Sequence, residues 1–404
     1  MLRSQPKPWP VLTIVALLLS ACARLDSTQP ATTAPTSSDD KFSDYLKTDF
    51  PAADGFDFPL GDADGKGGYT DKRSGQKHTG WLVSVHFGDW YSYGIHPAED
   101  WGGSGPPASD LGQPVHAVAK GKVAFADFCG KLFGNVVMID HVFYENAEKK
   151  TIRSVYVHLH EIHVRPGELI ERRQVIGTVG QDPDKLFAPH LHLEMRWDHS
   201  LSPTFWPSSN GKDLDWVKRH YTDPSAFINA HRHTPIPERE ANLIVVDQES
   251  YKMRHYQTGQ LQGEYDVSFG QGKGAKEVEG DNRTPVGMYF VIQKHRGEFE
   301  GPYAAYYGGH WIKINYPNEF DALRGRADGE ISASQQASIT REWRNRAATL
   351  QTTKLGGGIG FHGWIKEWSN DGPRHLSWGC VVMHLSDIGK LYEQIPEGTM
   401  VVIF

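Results

Sequence analysis

The 404-residue sequence predicts a mostly β chain: an antiparallel-sheet domain followed by a second β-rich domain with a helical insertion. Three observations predict this. Short Val- and Ile-rich runs recur between Gly, Pro and Asn punctuation. No apolar pattern of helical period lasts three turns between residues 95 and 197. In the second half, one capped segment alone carries such a pattern.

The strand runs follow in order. Val115 to Phe125 is Val- and Ala-rich around Gly121, Val136 to Ile139 follows Gly134-Asn135, and Ile152 to Leu159 alternates. Pro166-Gly167 makes a turn into Leu169 to Val179, a strand or hairpin. Residues 223–228 close this domain. Leu243 to Val246 opens the second, and Tyr251 to Tyr256 with Gly263 to Phe269 reads as a hairpin across Gln257 to Gln260. Val286 to Gln293, Trp311 to Tyr316 and Met400 to Phe404 are further strands. Ser332 and Gln335 form a capping-box pattern, with Ile339, Trp343, Ala347 and Leu350 at helical spacing. A helix over 332–350 follows, its apolar stripe read as core packing or as a lid. Asp62-Ala63-Asp64-Gly65 lacks the further ligands of a calcium loop and reads as a turn.

At about 150 residues per domain the length allows two or three domains. Apolar residues at 39% and charged ones at 23% exclude whole-chain disorder. A mean hydropathy of -0.50 excludes a multi-span membrane protein. A net charge of -7 argues against nucleic acid as a partner. Arg3 and Lys7 precede the apolar run 11–21, which is too short to span a bilayer, so 1–21 reads as a signal peptide. It ends Leu19-Ser20-Ala21-Cys22, which resembles the bacterial lipobox with Cys22 as the lipidated residue; the alternative is an ordinary secretory signal. The expected location is the cell envelope, membrane-tethered by the lipid, on the periplasmic side of the outer membrane in a Gram-negative host. Residues 22–54, with seven Ser/Thr and two Pro in 27–38, read as a flexible linker. The domains are expected at 55–232 and 241–404, joined by a linker at 233–240.

Of the three cysteines, Cys22, Cys129 and Cys380, none suggests a disulfide framework, and Cys129 reads as a buried structural thiol. Ten of the twenty histidines lie between His78 and His192. His96 and Asp100 are four apart; His190 and His192 are two apart and share a strand face. Three N/O ligands suit a catalytic zinc site with an open position. A lone His-x-His would more often be surface or core histidines; here the combination carries the inference.

Over about 100 residues this region resembles the LytM or lysostaphin-type zinc endopeptidases that cut peptidoglycan peptides. The resemblance runs from Ile95-His96 to Asp100 through Gly112 to Val115, Gly121 to Val123, Gly134 to Val137 and Tyr156 to Leu159. It continues through Val164 to Gly167, Ile176 to Gly180 and Pro189 to Glu194. It implies one Zn2+ held by His96, Asp100 and His192, with His158 and His190 as catalytic non-ligands. Ala98 departs where glycine is common; His160 and His163 have no matching role.

In the second domain Gly360-Phe361-His362-Gly363 precedes Ser377-Trp378-Gly379-Cys380. A cysteine nucleophile needs a base, and His362 leads over His375. This region resembles the YkuD-type L,D-transpeptidase domain across Gly280 to Gly287, His362-Gly363, Ser377 to Cys380, Asp387 and Leu391. The resemblance implies attack at a meso-diaminopimelate–D-alanine bond, a thioester, and transfer to an amine. Ser377, Gly379 and His375 are expected at the substrate. Val382 stands where many members have Arg, and Trp378 where His is common.

The expected function is a bifunctional peptidoglycan-remodelling lipoprotein acting on stem peptides, with an envelope protein as a further acceptor. The alternatives are a hydrolytic second domain, an L,D-endopeptidase or carboxypeptidase, or one inactive domain serving as a wall-binding or hydrolase-activating module.

Overall fold

A computed structural model describes residues 38–404 except 182–183. The signal segment 1–21, Cys22 and the Ser/Thr/Pro run up to residue 37 lie outside the described residues. The chain forms two compact units that divide between Thr234 and Pro235, within the segment expected as a linker. The second unit also takes in Tyr144–Lys149 and the helix Ser38–Leu46.

That helix corrects the expectation of a flexible linker through residue 54. Phe42 and Tyr45, three apart, fall on one helix face and are buried. Phe42 lies 6.1 Å from the Phe404 ring and under the Arg254 guanidinium at 4.2 Å. In the first unit, Ala52 and Ala53 are also buried, and the Ala53 amide donates to the Val142 carbonyl at 2.7 Å.

The first unit is a ten-stranded sheet in which every pairing is antiparallel. Its main path runs Leu169–Ile170, Gly121–Phe128, Asn135–Glu145, Glu148–Ile162, Leu191–Arg196, Glu99–Gly103, Trp81–Val85. The Leu191–Arg196 strand sits between Glu148–Ile162 and Glu99–Gly103, and this order assembles the site. His192 is paired with Val157 on one side and Asp100 on the other. Beneath lies a core of Val115, Val123, Ile139, Phe143, Leu193 and their neighbours. Only a four-residue helical turn, Gly130–Phe133, interrupts the described strands between 95 and 197.

The second unit is a nine-stranded mixed sheet closed on itself. Gln260–Gly270 pairs with Lys252–Gln257 at one end of the order and with Val381–Met383 near the other. Gly360–His362 and Val381–Met383 lie side by side and parallel. The predicted helix is Ala333–Arg344, with the Ser332/Gln335 capping box made as expected. It stops six residues short of 350 because the chain turns after Asn345 into a positive-φ residue, Arg346 at 55°. Ile339 packs with Ala322, Ile331 and Leu355, so the stripe is core. The helices Glu319–Ala327 and Leu385–Gln394 were not expected.

Candidate functional site

In the first unit three donor atoms converge. His96 Nε2 lies 3.2 Å from His192 Nδ1 and 3.2 Å from Asp100 Oδ1, and the last two are 2.9 Å apart. All three side chains are buried. Tetrahedral zinc with ligand bonds near 2.0–2.1 Å would set its ligands about 3.3 Å apart, so this triangle has the right size. The outward nitrogens face acceptors: His96 Nδ1 lies 3.4 Å from the His86 carbonyl, and His192 Nε2 donates to Glu194 Oε1 at 3.1 Å. Those contacts turn one lone pair of each ring toward Asp100.

The electrostatics agree. Burial by itself works against a charged His192, but Asp100 and Glu194 outweigh it and raise the imidazole to about 9. Burial likewise opposes ionisation of Asp100, and its bonds to His192 and His96 hold the carboxyl well below the usual range. The centre therefore favours a positive charge, and a divalent cation competes with a proton for the same lone pair. The residues present fit zinc.

Two further histidines face this centre. The His158 and His190 rings are 4.7 Å apart, and His190 Nε2 is 3.7 Å from Asp100 Oδ1. His190 Nδ1 donates to the Ala188 carbonyl at 2.8 Å, and its Nε2 is the nitrogen on the side of Asp100. His158 follows Val157, which is paired with His192, so regular alternation would point it to the opposite face. Its φ of +62° breaks the alternation, and the ring comes 5.9 Å from that of His192. Such backbone strain is tolerated where surrounding structure fixes it. The ring bonds the Phe133 carbonyl, while Nδ1 is buried without a partner. Burial, then His190 and His192, lowers its pKa well below the ordinary value. His160 is exposed and His163 pairs with Glu161 at the surface, both away from the centre.

Sequence reasoning missed Glu194 and Arg196. Glu194 bonds His192 and the Arg196 guanidinium; Arg196 is fully buried and donates to the Ser202 carbonyl at 2.8 Å. The signal was present: positions 190, 192, 194 and 196 alternate as one polar row.

In the second unit, the parallel pairing sets His362 beside Val382, two residues past Cys380. His362 Nδ1 donates to the carbonyls of Gly363 at 2.6 Å and Tyr306 at 3.0 Å, so Nε2 holds the lone pair a base needs. The ring is buried among Tyr307, Trp311 and Trp364, and that burial lowers its pKa to about 4. The Cys380 thiol donates to the Gly358 carbonyl at 3.6 Å. Burial pushes it up to about 11, against the opposing pull of the Gly360 amide and of Lys276.

Ser377 is hydrogen-bonded within its own turn. It is buried, and its hydroxyl donates to the Cys380 carbonyl at 2.6 Å while accepting from the Gly379 amide at 3.1 Å. These bonds shape the turn that carries Cys380. His375 is hydrogen-bonded as well: Nδ1 donates to the Gly270 carbonyl and Nε2 accepts from the Tyr251 hydroxyl, both at 2.9 Å. Gly379 has a φ of +129°, and a Cβ there would lie 2.8 Å from the Arg283 carbonyl oxygen, so only glycine suits it. Val382 is fully buried, whereas Trp378 is 44% exposed against Tyr303 and Tyr306. Cys129 is buried, packed with Val136, Met138 and Val155 as a structural thiol would be.

Two histidines and one carboxylate whose donor atoms converge have the composition of a metallohydrolase centre, and in the second unit the strand that carries His362 adjoins Val381–Met383, which directly follows Cys380. Residues 107–203 match the model of peptidase family M23, and residues 241–403 match YkuD, the L,D-transpeptidase catalytic domain. The chain belongs to peptidase family M23 through its first unit and carries an L,D-transpeptidase catalytic domain as its second. His96 and Asp100 lie upstream of the matched segment, and folding brings them to His192. Lipoprotein NlpD of Yersinia enterocolitica is 31% identical over 90 residues, 22% of this chain and 84% of that protein. The catalytic domain of lysostaphin from Staphylococcus simulans is 22% identical, covering 37% of this chain and 92% of that one, with a TM-score of 0.27. The helical cell shape determining protein Pgp2 from Campylobacter jejuni is 21% identical, covering 40% of this chain and 47% of that one, with a TM-score of 0.28. Both domain families are peptidoglycan-related enzymes. No helix among the described residues is long and apolar enough to cross a membrane.

Proposed function

We propose that the chain remodels peptidoglycan with two chemistries: zinc-dependent hydrolysis of stem-peptide cross-links, and acyl transfer from meso-diaminopimelate through a Cys380 thioester. The observation that carries this reading is the convergence of His96, Asp100 and His192 donor atoms within 3.2 Å of one another.

His96, Asp100 and His192 would hold the ion, and zinc would supply a Lewis acid that polarises a peptide carbonyl and acidifies water. His158 Nδ1 and His190 Nε2 would take the proton of the attacking water and return it to the leaving amine. Glu194 fixes the His192 tautomer, and Arg196 neutralises Glu194.

In the second domain the thiol and imidazole rest neutral. As sulfur attacks the acyl carbon, its proton passes to His362 Nε2 and then to the amine of departing D-alanine. An acceptor amine next releases Cys380 from the thioester, giving its own proton back through His362. Transfer to water is the second reading, favoured by Val382, an uncharged and fully buried side chain that offers no charge to an acceptor carboxylate. The lipobox-like run ending at Cys22 and the likeness to lipoprotein NlpD support a lipid-tethered envelope location.

The test is mass spectrometry of cross-linked muropeptides after incubation with the full chain. Chelator should abolish one product set and Cys380→Ala the other. Cleavage surviving both together refutes both assignments.

A further inference from the structure

The loop before the Gly287–Arg296 strand is built around a nearly buried ion pair. Lys276 Nζ donates to Asp281 Oδ1 at 2.8 Å and to the Val278 carbonyl at 2.9 Å, with the lysine side chain only 4% exposed. Asp281 spends both oxygens. Oδ1 also accepts from the Arg283 amide at 3.1 Å, and Oδ2 accepts from the amides of Glu277 at 2.7 Å and Val278 at 3.1 Å. Charge-assisted bonds of this kind are the strong ones, and four on one carboxylate fix the turn 276–283.

This turn forms a wall behind the nucleophile. The Arg283 carbonyl oxygen stands 2.8 Å from where a Gly379 Cβ would be, one residue before Cys380. The Asn282 carbonyl accepts from the Gly272 amide at 2.8 Å and would collide with any Cβ on Gly270. Thr284 Oγ1 accepts from the Gly270 amide at 2.9 Å, and a Cβ on Gly270 would lie 3.0 Å from Gly379 Cα. The peptides flanking Arg283 thus face two ways: the Arg283 amide is held by Asp281, and its carbonyl abuts Gly379.

We propose that Asp281, clamped by Lys276, is a positioning residue for the Cys380 nucleophile, acting through the Arg283 peptide on Gly379. It touches neither the thiol nor the substrate, so its effect falls on the rate of thioester formation and not on binding. This rests on the reading of Cys380 as the nucleophile. Misplacement of a reacting atom by about 1 Å costs on the order of 10²-fold in rate.

The experiment uses the full chain on a tetrapeptide muropeptide and follows release of D-alanine. Asp281→Asn should lower kcat on the order of 10²-fold with KM within about twofold, and leave the chelator-sensitive cleavage unchanged. Lys276→Met, which keeps the three backbone bonds to Asp281, should cost less. Gly379→Ala pushes on the same Arg283 carbonyl, so combining it with Asp281→Asn should cost less than the product of the two single effects, whereas independent sites multiply. Wild-type kcat in Asp281→Asn overturns the proposal, as does strict multiplication in the double variant. If Asp281→Asn does not fold, wild-type kcat in Lys276→Met together with multiplicative Lys276→Met/Gly379→Ala overturns it. D-alanine release that survives Cys380→Ala overturns the nucleophile assignment itself, a distinct result.

Discussion

Replacing Glu194 by Gln separates stability from metal binding, because one buried carboxylate serves two partners. In the native chain it accepts from His192 Nε2 at 3.1 Å and pairs with Arg196, whose side chain is fully buried. The amide oxygen introduced by Glu194→Gln still accepts from His192, but Arg196 loses its counter-charge. Breaking a buried pair on one side costs about 3–5 kcal/mol. For a unit of this size that lowers Tm by roughly 6–20 °C. The neutral partner also makes His192 a poorer donor, and loss of such an outer carboxylate costs roughly 10–100-fold in metal affinity. That removes about 1.4–2.7 kcal/mol from the stabilisation zinc provides. The double variant Glu194→Gln/Arg196→Met deletes both charges at similar volume. Its zinc-free Tm should return close to wild type while zinc affinity stays low. Thermal melts with and without zinc, together with competition against a chromophoric chelator, measure both quantities. Zinc affinity within twofold of wild type in both variants would refute the role given to Glu194.

Two further outcomes follow from burial in the second unit and within the sheet of the first. Alkylation of Cys380 by iodoacetamide should be slow at pH 7 and rise with an inflection near 11; an inflection below 8 would mean a preformed thiolate and refute the raised value. His141 and His362 are both held near pH 4 by burial, whereas unfolded histidine titrates near 6.5. Between those values the unfolded chain binds protons that the native chain refuses, so stability falls as pH drops from about 6.5 to 4, by ~3 kcal/mol per histidine. Urea midpoints at pH 7 and 4.5 measure the loss; His362→Asn should shrink it, and an unchanged loss would refute the depressed value.

Legibility in the sequence tracked how local each feature is. The spacing of His96 and Asp100 and the alternation of His190 and His192 are short-range, and the fold brings all four to one centre. His158 was legible through family resemblance alone, since strand periodicity points it the wrong way and only the +62° backbone turns it inward. Arg196 and Glu194 look in sequence like any charged pair near a strand end; what makes them a support for His192 is full burial, which depends on distant residues such as Tyr221, whose ring lies 5.5 Å from the guanidinium. The helix Ser38–Leu46 escaped notice because nine residues with two aromatics give too little periodicity against a Ser/Thr/Pro background. Closure of the second sheet depends on Gln260–Gly270 meeting Val381–Met383, more than a hundred residues later, which no local pattern encodes.

The two centres solve opposite electrostatic problems with the same residue type. In both, burial strips histidine of solvent and drives it toward the neutral form. Around His192, two carboxylates reverse that tendency and leave a place whose charge suits a cation. Around His362, only the Gly363 and Tyr306 carbonyl dipoles oppose it, and they do not prevail. A neutral imidazole and a neutral thiol cost little to bury, whereas an ion pair would be desolvated on both sides. On the proposed mechanism, charge separation at Cys380 is deferred until a substrate carbonyl accepts the electron pair. The fixed turn at Gly379 then matters more than a standing thiolate, because rate depends on where sulfur is held when the proton leaves.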